Sequence, residues 1–531
     1  MQYGFVIDNR KCIGCHACTT ACKSEHDVPI GVNRTWVKQV EKGEFPHTRR
    51  IFSVLRCNHC SDAPCVEICP VEALFYREDG IVDFDKDRCI GCKSCMQACP
   101  YDALYIDPET RTAAKCNYCA HRIDVGLEPA CVIVCPEEAI ISGDLDDPDA
   151  KIAQLLAQEQ VTVRKAAKGT VPNLYYIDGD EASLNPMRTE PSDSYFWNAQ
   201  TRGVGHFARA AEKLAFSNSD IVDALTGLDT DKPERAPKSV EVLMQRENRI
   251  YDTPDKGILW GWEVSGYVWT KAIAAGVFLV WFIGWLMGDR GAFADLQVPV
   301  AVTGLIFLAL TGVLLVLDLD QPRRFLYVLL RPQWNSWLTR GAYAITGYGG
   351  LLTLWGLAAY FEWQAIAQVT TWLTLGLALL TAIYTAFLFA QARGRDFWQS
   401  PSLALHMLVH SVMAGGATLV IMHLVSGQAI PSLLATTLIL ALVVNALTLT
   451  AELATTHATA EAKRTVAMIV HGRYQAAFWI GSVLIGCVLP FVLLLIGITA
   501  MPLWIASVAI LIGILVTERI WVEAPQRIPL T

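Results

Sequence analysis

Sixteen of the seventeen cysteines in this chain fall between residues 12 and 135, in four groups of four. They read CIGCHACTTAC (Cys12, Cys15, Cys18, Cys22), CNHCSDAPCVEIC (Cys57, Cys60, Cys65, Cys69), CIGCKSCMQAC (Cys89, Cys92, Cys95, Cys99) and CNYC…CVIVC (Cys116, Cys119, Cys131, Cys135). Three thiolates at tight spacing, with a fourth further along, hold an iron–sulfur cube. At four ligands per cube, sixteen thiolates provide for four [4Fe–4S] clusters. A disulfide framework would also use many cysteines, but these spacings are those of cluster ligands rather than of loop staples.

The elements that position these ligands come as a duplication. CIGC at 12 recurs at 89, and CNHC at 57 recurs as CNYC at 116. In two-cluster ferredoxins the fourth cysteine of one motif ligates the other cluster, which ties a short polypeptide together without a large core. Pro70, Pro100 and Pro136 each follow a fourth cysteine and stop the short helix that delivers it. Gly14 and Gly91 let the backbone pass close to sulfur. An α+β, ferredoxin-like duplicated domain is expected over 1–184, with VPNLYYI (171–177) as one of its strands.

Apolar residues make up 53% of the sequence and charged residues 18%, and the apolar excess lies beyond residue 260. The net charge of -8 gives no reason to expect nucleic-acid binding. Residues 185–256 are polar and mixed in charge, and read as a linker, partly helical or disordered. Residues 257–531 read as an all-α bundle of eight transmembrane helices, near 264–287, 297–318, 341–361, 366–390, 402–425, 431–453, 476–497 and 500–521. Eight crossings put both ends on one side. The loops there carry eleven Arg and Lys residues, and those opposite carry Arg290 alone. By the positive-inside rule the cluster domain and both termini are cytoplasmic, on the cell's inner membrane. The opening MQYGFVIDNR has neither an apolar signal region nor a twin-arginine pair, which agrees.

Polar residues at membrane depth are expensive and are functional candidates. On the cluster side these include Glu263 and Lys271 early in the first span, Asp318 at the end of the second and Tyr384 in the fourth. His406 and His410 open the fifth span, and Glu452 ends the sixth. His406 and His410 also raise the question of haem, but a bis-histidine haem takes partners from two helices, and no haem is expected. Cys487, alone in the seventh span, reads as a small core residue. Neither a Walker loop nor a dinucleotide-binding glycine pattern is present, so the sequence reads as a one-electron wire without its own catalytic centre.

The first ~180 residues resemble the four-cluster ferredoxin subunit of molybdopterin oxidoreductases, of dimethyl sulfoxide, polysulfide and nitrate reductase beta type. All four cysteine motifs match. The second half resembles the NrfD/polysulfide reductase membrane anchor through LDLDQPRRF (317–325), YTAFLFAQARGRDFWQSP (384–401) and AELATT (451–456). The resemblance implies a fusion of the two. It also implies the ligand sets Cys12, Cys15, Cys18, Cys135; Cys22, Cys116, Cys119, Cys131; Cys57, Cys60, Cys65, Cys99; and Cys69, Cys89, Cys92, Cys95. The first set would be nearest a large molybdopterin catalytic subunit (bis-pterin Mo or W), and the last nearest the membrane. A quinone or quinol would react at a pocket in the bundle, with Tyr384 and Glu452 at the positions that line it in the family. Glu263 and Lys271 would replace the family's first-helix Asn/His pair, with Asp318 and His406 as further candidates. The protein is then expected to be the electron-transfer and anchor subunit rather than the catalytic one. The alternatives are a stand-alone ferredoxin:quinone oxidoreductase, or a partner module for a hydrogenase or for ion translocation.

Overall fold

In the cysteine-rich half, the backbone repeats itself turn for turn. Gly14 and Gly91 take left-handed φ values of 72° and 71°, and His16 and Lys93, two residues on, take 61° and 60°. A second device recurs where a cysteine precedes proline. Glu72, Asp102 and Glu138, each three residues past that cysteine, have φ of 51°, 56° and 48°. The turn reverses the backbone so that the next N–H meets sulfur. Ala73 donates to Cys69 Sγ at 3.2 Å and Ala139 to Cys135 Sγ at 3.3 Å. Glycine tolerates such conformations without strain; the non-glycine residues are held in them by the surrounding structure.

The computed structural model describes all residues except 44–45, 192–246, 254–255, 288–292, 294 and 497–498. Four short strand sets frame the loops. Tyr3–Asp8 lies between Ile140–Asp144 (antiparallel) and Leu174–Ile177 (parallel), with Val161–Thr162 at the edge. A second sheet runs Glu190–Pro191, Glu247–Tyr251, Thr35–Lys42, Arg49–Arg56. Two hairpins, Leu74–Tyr76 with Val82–Phe84 and Leu104–Ile106 with Ala113–Lys115, follow the second and third cysteine groups. The expected strand in 171–177 is present as Leu174–Ile177. Of the stretch read as a linker, both ends belong to the second sheet, and 192–246 lies outside the described residues.

The second half is a helix bundle: α1 (Trp262–Leu286), α2 (Gln297–Leu317), α3 (Trp337–Tyr360), α4 (Gln364–Gln391), α5 (Leu403–Ser426), α6 (Ser432–Ala454), α7 (Ala477–Ile496) and α8 (Ala500–Glu523). Seven are long and apolar enough to cross a membrane. The exception is α3, whose 24 residues are rich in Gly, Thr, Tyr and Trp and include Arg340. Of the eight spans expected, seven are thus present as candidate spans among the described residues, and the eighth stretch is the long helix α3.

The bundle is organised around α1, in which every residue from Thr270 to Phe282 is buried. It crosses α5 at two glycines. A Cβ on Gly276 would collide with the Ser411 carbonyl, and one on Gly415 with the Gly276 backbone. Such close crossings are what small residues permit in a bilayer.

The two halves meet through backbone and ion pairs. Asp320 and Gln321, just past α2, donate to the carbonyls of Gly91 and Ile90 at 3.3 and 3.2 Å. Gln333 donates to Pro70 O at 3.0 Å, and Gly394 to Gln97 O at 3.2 Å. Arg393 pairs with Asp62 at 2.7 Å and Glu67 at 3.2 Å, and Lys165 with Glu461 at 2.8 Å. The cluster domain therefore sits on the side of the bundle that carries the basic loops. The segment after α8 is wedged into this interface. Gln526 Oε1 accepts from Gln97 at 2.6 Å and from the N–H groups of Leu259 and Trp260 at 3.0 Å.

Candidate functional site

Folding gathers the sixteen cysteines into four neighbourhoods, none with a disulfide. Cys12 sits beside Cys15 and Cys135, and Cys18 beside Cys12. Cys22 has Cys116, Cys119 and Cys131 around it. Cys57, Cys60 and Cys99 surround Cys65, and Cys69, Cys89 and Cys92 surround Cys95. The neighbourhoods follow one another in a row, with Cys18 within electrostatic reach of Cys131, Cys57 of Cys116 and Cys65 of Cys95. One small cavity is lined by Cys12, Cys15, Cys18 and Cys135, and another by Cys69, Cys89, Cys92 and Cys95.

The donor chemistry fits a thiolate-bound metal cluster. Burial pushes the thiols of Cys18, Cys92 and Cys119 up to about 12, so metal-free they would be neutral. Metal would hold them as thiolates. Donors are already aimed at sulfur: the backbone N–H groups of Ala73, Ala113 and Ala139, and the fully buried Arg56, whose Nη1 donates to Cys131 Sγ at 3.0 Å. Such donors tune a cluster's potential.

Beside the last neighbourhood lies an apolar cavity of about 220 Å³. Its roof is the Ile90–Ser94 loop with Cys92, and its walls come from α1, α2, α3 and α4. Trp260 closes one side; its indole N–H donates to Cys92 O at 3.1 Å and its ring stacks on Phe389 and Trp398. Tyr267, Tyr384 and Asp318 are the acidic or phenolic groups in the lining. Burial raises the Asp318 carboxyl to about 7, against the opposing pull of the Lys93 ammonium 3.8 Å away.

Of the six pocket candidates, Tyr384 and Asp318 line this cavity. Lys271 stands behind Tyr384: its ammonium lies 4.6 Å from the ring centroid and donates to Thr385 Oγ1 at 2.6 Å and Ala382 O at 3.1 Å. Glu263, in the first turn of α1, is half-buried outside the lining and acts on Asp318 electrostatically. Glu452 and His406 are elsewhere: α5, α6 and α8 contribute nothing to the lining of this cavity. Glu452 accepts from His406 Nδ1 at 2.9 Å, Ser402 Oγ at 2.9 Å and Trp521 Nε1 at 3.1 Å. With Trp521 and the 396–403 and 455–462 loops it lines a second, more polar cavity of about 330 Å³.

Sequence reasoning missed Glu518, on α8. It is 1% exposed, and its Oε1 meets His410 Nδ1 at 2.7 Å and lies 3.9 Å from His406 Nε2. The signal was there, an acid inside an apolar span. Its position next to Arg519 near the helix end gave it the look of an interfacial residue. Trp260 and Thr385 were missed too, and nothing in their local sequence marks them.

Residues 11–74 and 48–145 each match a 4Fe-4S dicluster domain, and residues 253–526 match polysulphide reductase, NrfD. The protein is similar to a tetrathionate reductase subunit of Salmonella typhimurium, at 45% identity over 197 residues, covering 36% of this sequence and 79% of that one. It is 42% identical over 188 residues to a polysulfide reductase polypeptide of Wolinella succinogenes, covering 34% of this sequence and 97% of that one. Protein NrfC of Escherichia coli is 44% identical over 180 residues, or 33% of this sequence and 81% of its own length.

Proposed function

Because this protein belongs to the polysulphide reductase NrfD family and joins that membrane part to 4Fe-4S dicluster domains, we propose that it carries electrons between a molybdopterin catalytic subunit and membrane quinone. The observation that carries this reading is the shared wall: the apolar cavity is roofed by the loop that bears Cys92. An apolar slot with a few convergent polar groups is the usual form of a site for such a ligand. Tyr384, Tyr267 and Asp318 would address the quinone oxygens.

The four cysteine neighbourhoods are read as four [4Fe–4S] sites, with the ligand sets that the family resemblance implies. Each cube, when bound, takes and gives one electron at a time. The row of neighbourhoods gives the route: from Cys12/Cys15/Cys18/Cys135, through Cys22/Cys116/Cys119/Cys131 and Cys57/Cys60/Cys65/Cys99, to Cys69/Cys89/Cys92/Cys95. The partner docks at the first set. Cys15 is exposed there, as are Ile13, Ile133 and Val134, at 55%, 57% and 40%. We read α3 as the eighth crossing and the cluster side as the cytoplasmic face of the inner membrane, on the charge of the loops. The pterin metal, molybdenum or tungsten, belongs to the partner, and no haem is invoked.

The test is purification of the full-length protein from its native membrane. A large pterin-containing subunit is expected to accompany it. Redox-titrated electron paramagnetic resonance is expected to show four cubes that a quinol analogue reduces or a quinone reoxidises. A homogeneous quinone-active preparation without a partner, or protein with fewer than four cubes at full iron loading, would overturn the reading.

A further inference from the structure

The apolar cavity has a roof from which electrons can arrive, yet quinone chemistry also consumes protons. Converting one quinone to its quinol takes two electrons and two protons; oxidation returns both. The proton requirement rests on the function proposed above. The cavity itself is walled largely by Leu, Ile and Val. The polar cavity, by contrast, borders the Asp396–Gln399 turn and Thr459, and Asp396 pairs with Lys168 of the cluster domain. It therefore faces the cluster side.

Between the two cavities runs a succession of buried groups. Glu452, in the wall of the polar cavity, holds His406 Nδ1 at 2.9 Å. His406 Nε2 is buried without a hydrogen-bond partner, 3.9 Å from Glu518 Oε1. Glu518 also holds His410 and lies within electrostatic reach of Lys271. Lys271 donates to Thr385 Oγ1 at 2.6 Å, and the phenols of Tyr267 and Tyr384 both lie beside Thr385. Those two tyrosines line the apolar cavity. The groups come from α1, α4, α5, α6 and α8 and are all 5% exposed or less.

We propose that this succession, Glu452–His406–Glu518–Lys271–Thr385–Tyr384/Tyr267, is a proton path that connects the polar cavity on the cluster side to the apolar cavity. His410 orients Glu518 as a positioning residue. Ionisable groups at this depth carry a high cost, and a network serving packing alone would be closed. This one is open at two joints, between His406 and Glu518 and between Glu518 and Lys271. The unpartnered His406 Nε2 faces Glu518 across a gap that a ring or carboxyl rotation can close, as a relay needs. During quinone reduction a proton enters at Glu452, passes to the phenols and leaves on a quinone oxygen, while the electrons come from the reduced cubes. During quinol oxidation both run in reverse. The rival role for the same side chains is metal binding, since His406, His410 and Glu518 offer three donor atoms within 4.8 Å of one another.

The experiment uses the full complex in vesicles with its cluster side outward, a quinone analogue, and the isosteric variants Glu518→Gln and Glu452→Gln. Electron paramagnetic resonance after dithionite reports the cubes, and a pH-indicator dye in the outer medium reports proton uptake. Both variants are expected to keep all four cubes reducible. Quinone turnover and dye-detected uptake are expected to fall together by about 10²-fold, the scale of a lost proton-transfer group. A small permeant weak acid such as azide should restore turnover, which it could not do for a purely structural defect. Full turnover in both variants, a loss that the weak acid fails to rescue, or a non-cluster metal released by Glu518→Gln would overturn the path. Wild-type protein whose cubes do not react with any quinone would overturn the functional reading itself, a separate result.

Discussion

The two cavities of the bundle differ in almost every respect. One is apolar, lies against the loop of Cys92, and is lined by α1 to α4. The other is polar, lies against Glu452, and is lined by the ends of α5, α6 and α8 with their loops. The first can hold a hydrophobic ring system next to an electron source, and Asp318 is the one carboxyl in its lining. The second can hold water but has no cysteine in its lining. A proton-coupled redox site therefore need not be built in one place. Electrons require proximity to sulfur, protons require titratable groups, and the two requirements are met by different helices that converge on Tyr384 and Tyr267.

This division of labour fails most severely when the electron side is cut. Replacing Cys92 by Ala should remove one of the four cubes from the resonance spectrum and bring quinone turnover to background, while the first three cubes remain reducible by dithionite. If turnover survived, the roof of the apolar cavity would not be the electron's exit. Tyr384→Phe probes the point of convergence. It removes one hydroxyl without opening a void, so a loss of about tenfold in kcat/KM is expected, the size of one lost hydrogen bond. Ser402→Ala acts on the polar side alone, by removing one of the three donors to Glu452. A drop of about twofold to fivefold in turnover is expected, with unchanged KM for the quinone analogue.

A fourth substitution should leave turnover untouched and so serves as a control. Lys38 is fully buried in the second sheet, and its ammonium has no hydrogen-bond partner among the described residues. Burial lowers it from 10.5 to about 7, against the opposing pull of Asp252. Below about pH 7 the folded protein has to bury that charge. Between about 7 and 10.5 the unfolded state binds the proton and the folded state does not, so stability rises with pH across this window. Lys38→Met should abolish that slope and raise the melting temperature most at acidic pH, by an amount corresponding to about 2 kcal/mol. A calorimetric pH series measures it.

The cysteine groups, the duplication and the helix positions were legible because each is written locally, in spacing or in a run of apolar residues. The order of the four neighbourhoods is not written locally and came only from the family resemblance, since Cys65 comes near Cys95, and Cys18 near Cys131, only through tertiary folding. The same holds for the pocket. Tyr384 and Asp318 follow from helix position, but which wall each candidate faces depends on how α1 sits between α4 and α5. Glu452 and His406 bear on the same chemistry from outside the apolar cavity. A path of charge is hard to see span by span: 297–318, 366–390 and 476–497 are nearly free of it, whereas Lys271, His406, Glu452 and Glu518 occupy four others.

The interface between the halves joins largely buried ion pairs, such as Lys165 with Glu461 at 10% and 12% side-chain exposure, to backbone hydrogen bonds and a shared apolar core. Arg393 with Asp62 and Glu67 is more open, at 31%, 49% and 38% side-chain exposure. Such pairs contribute little each. A cluster domain made as a separate polypeptide would have to find its membrane half by diffusion. Covalent linkage replaces that search with an effective concentration in the millimolar range. Docking then becomes independent of expression level, and the cavity wall that Cys92 completes is assembled in every copy that folds.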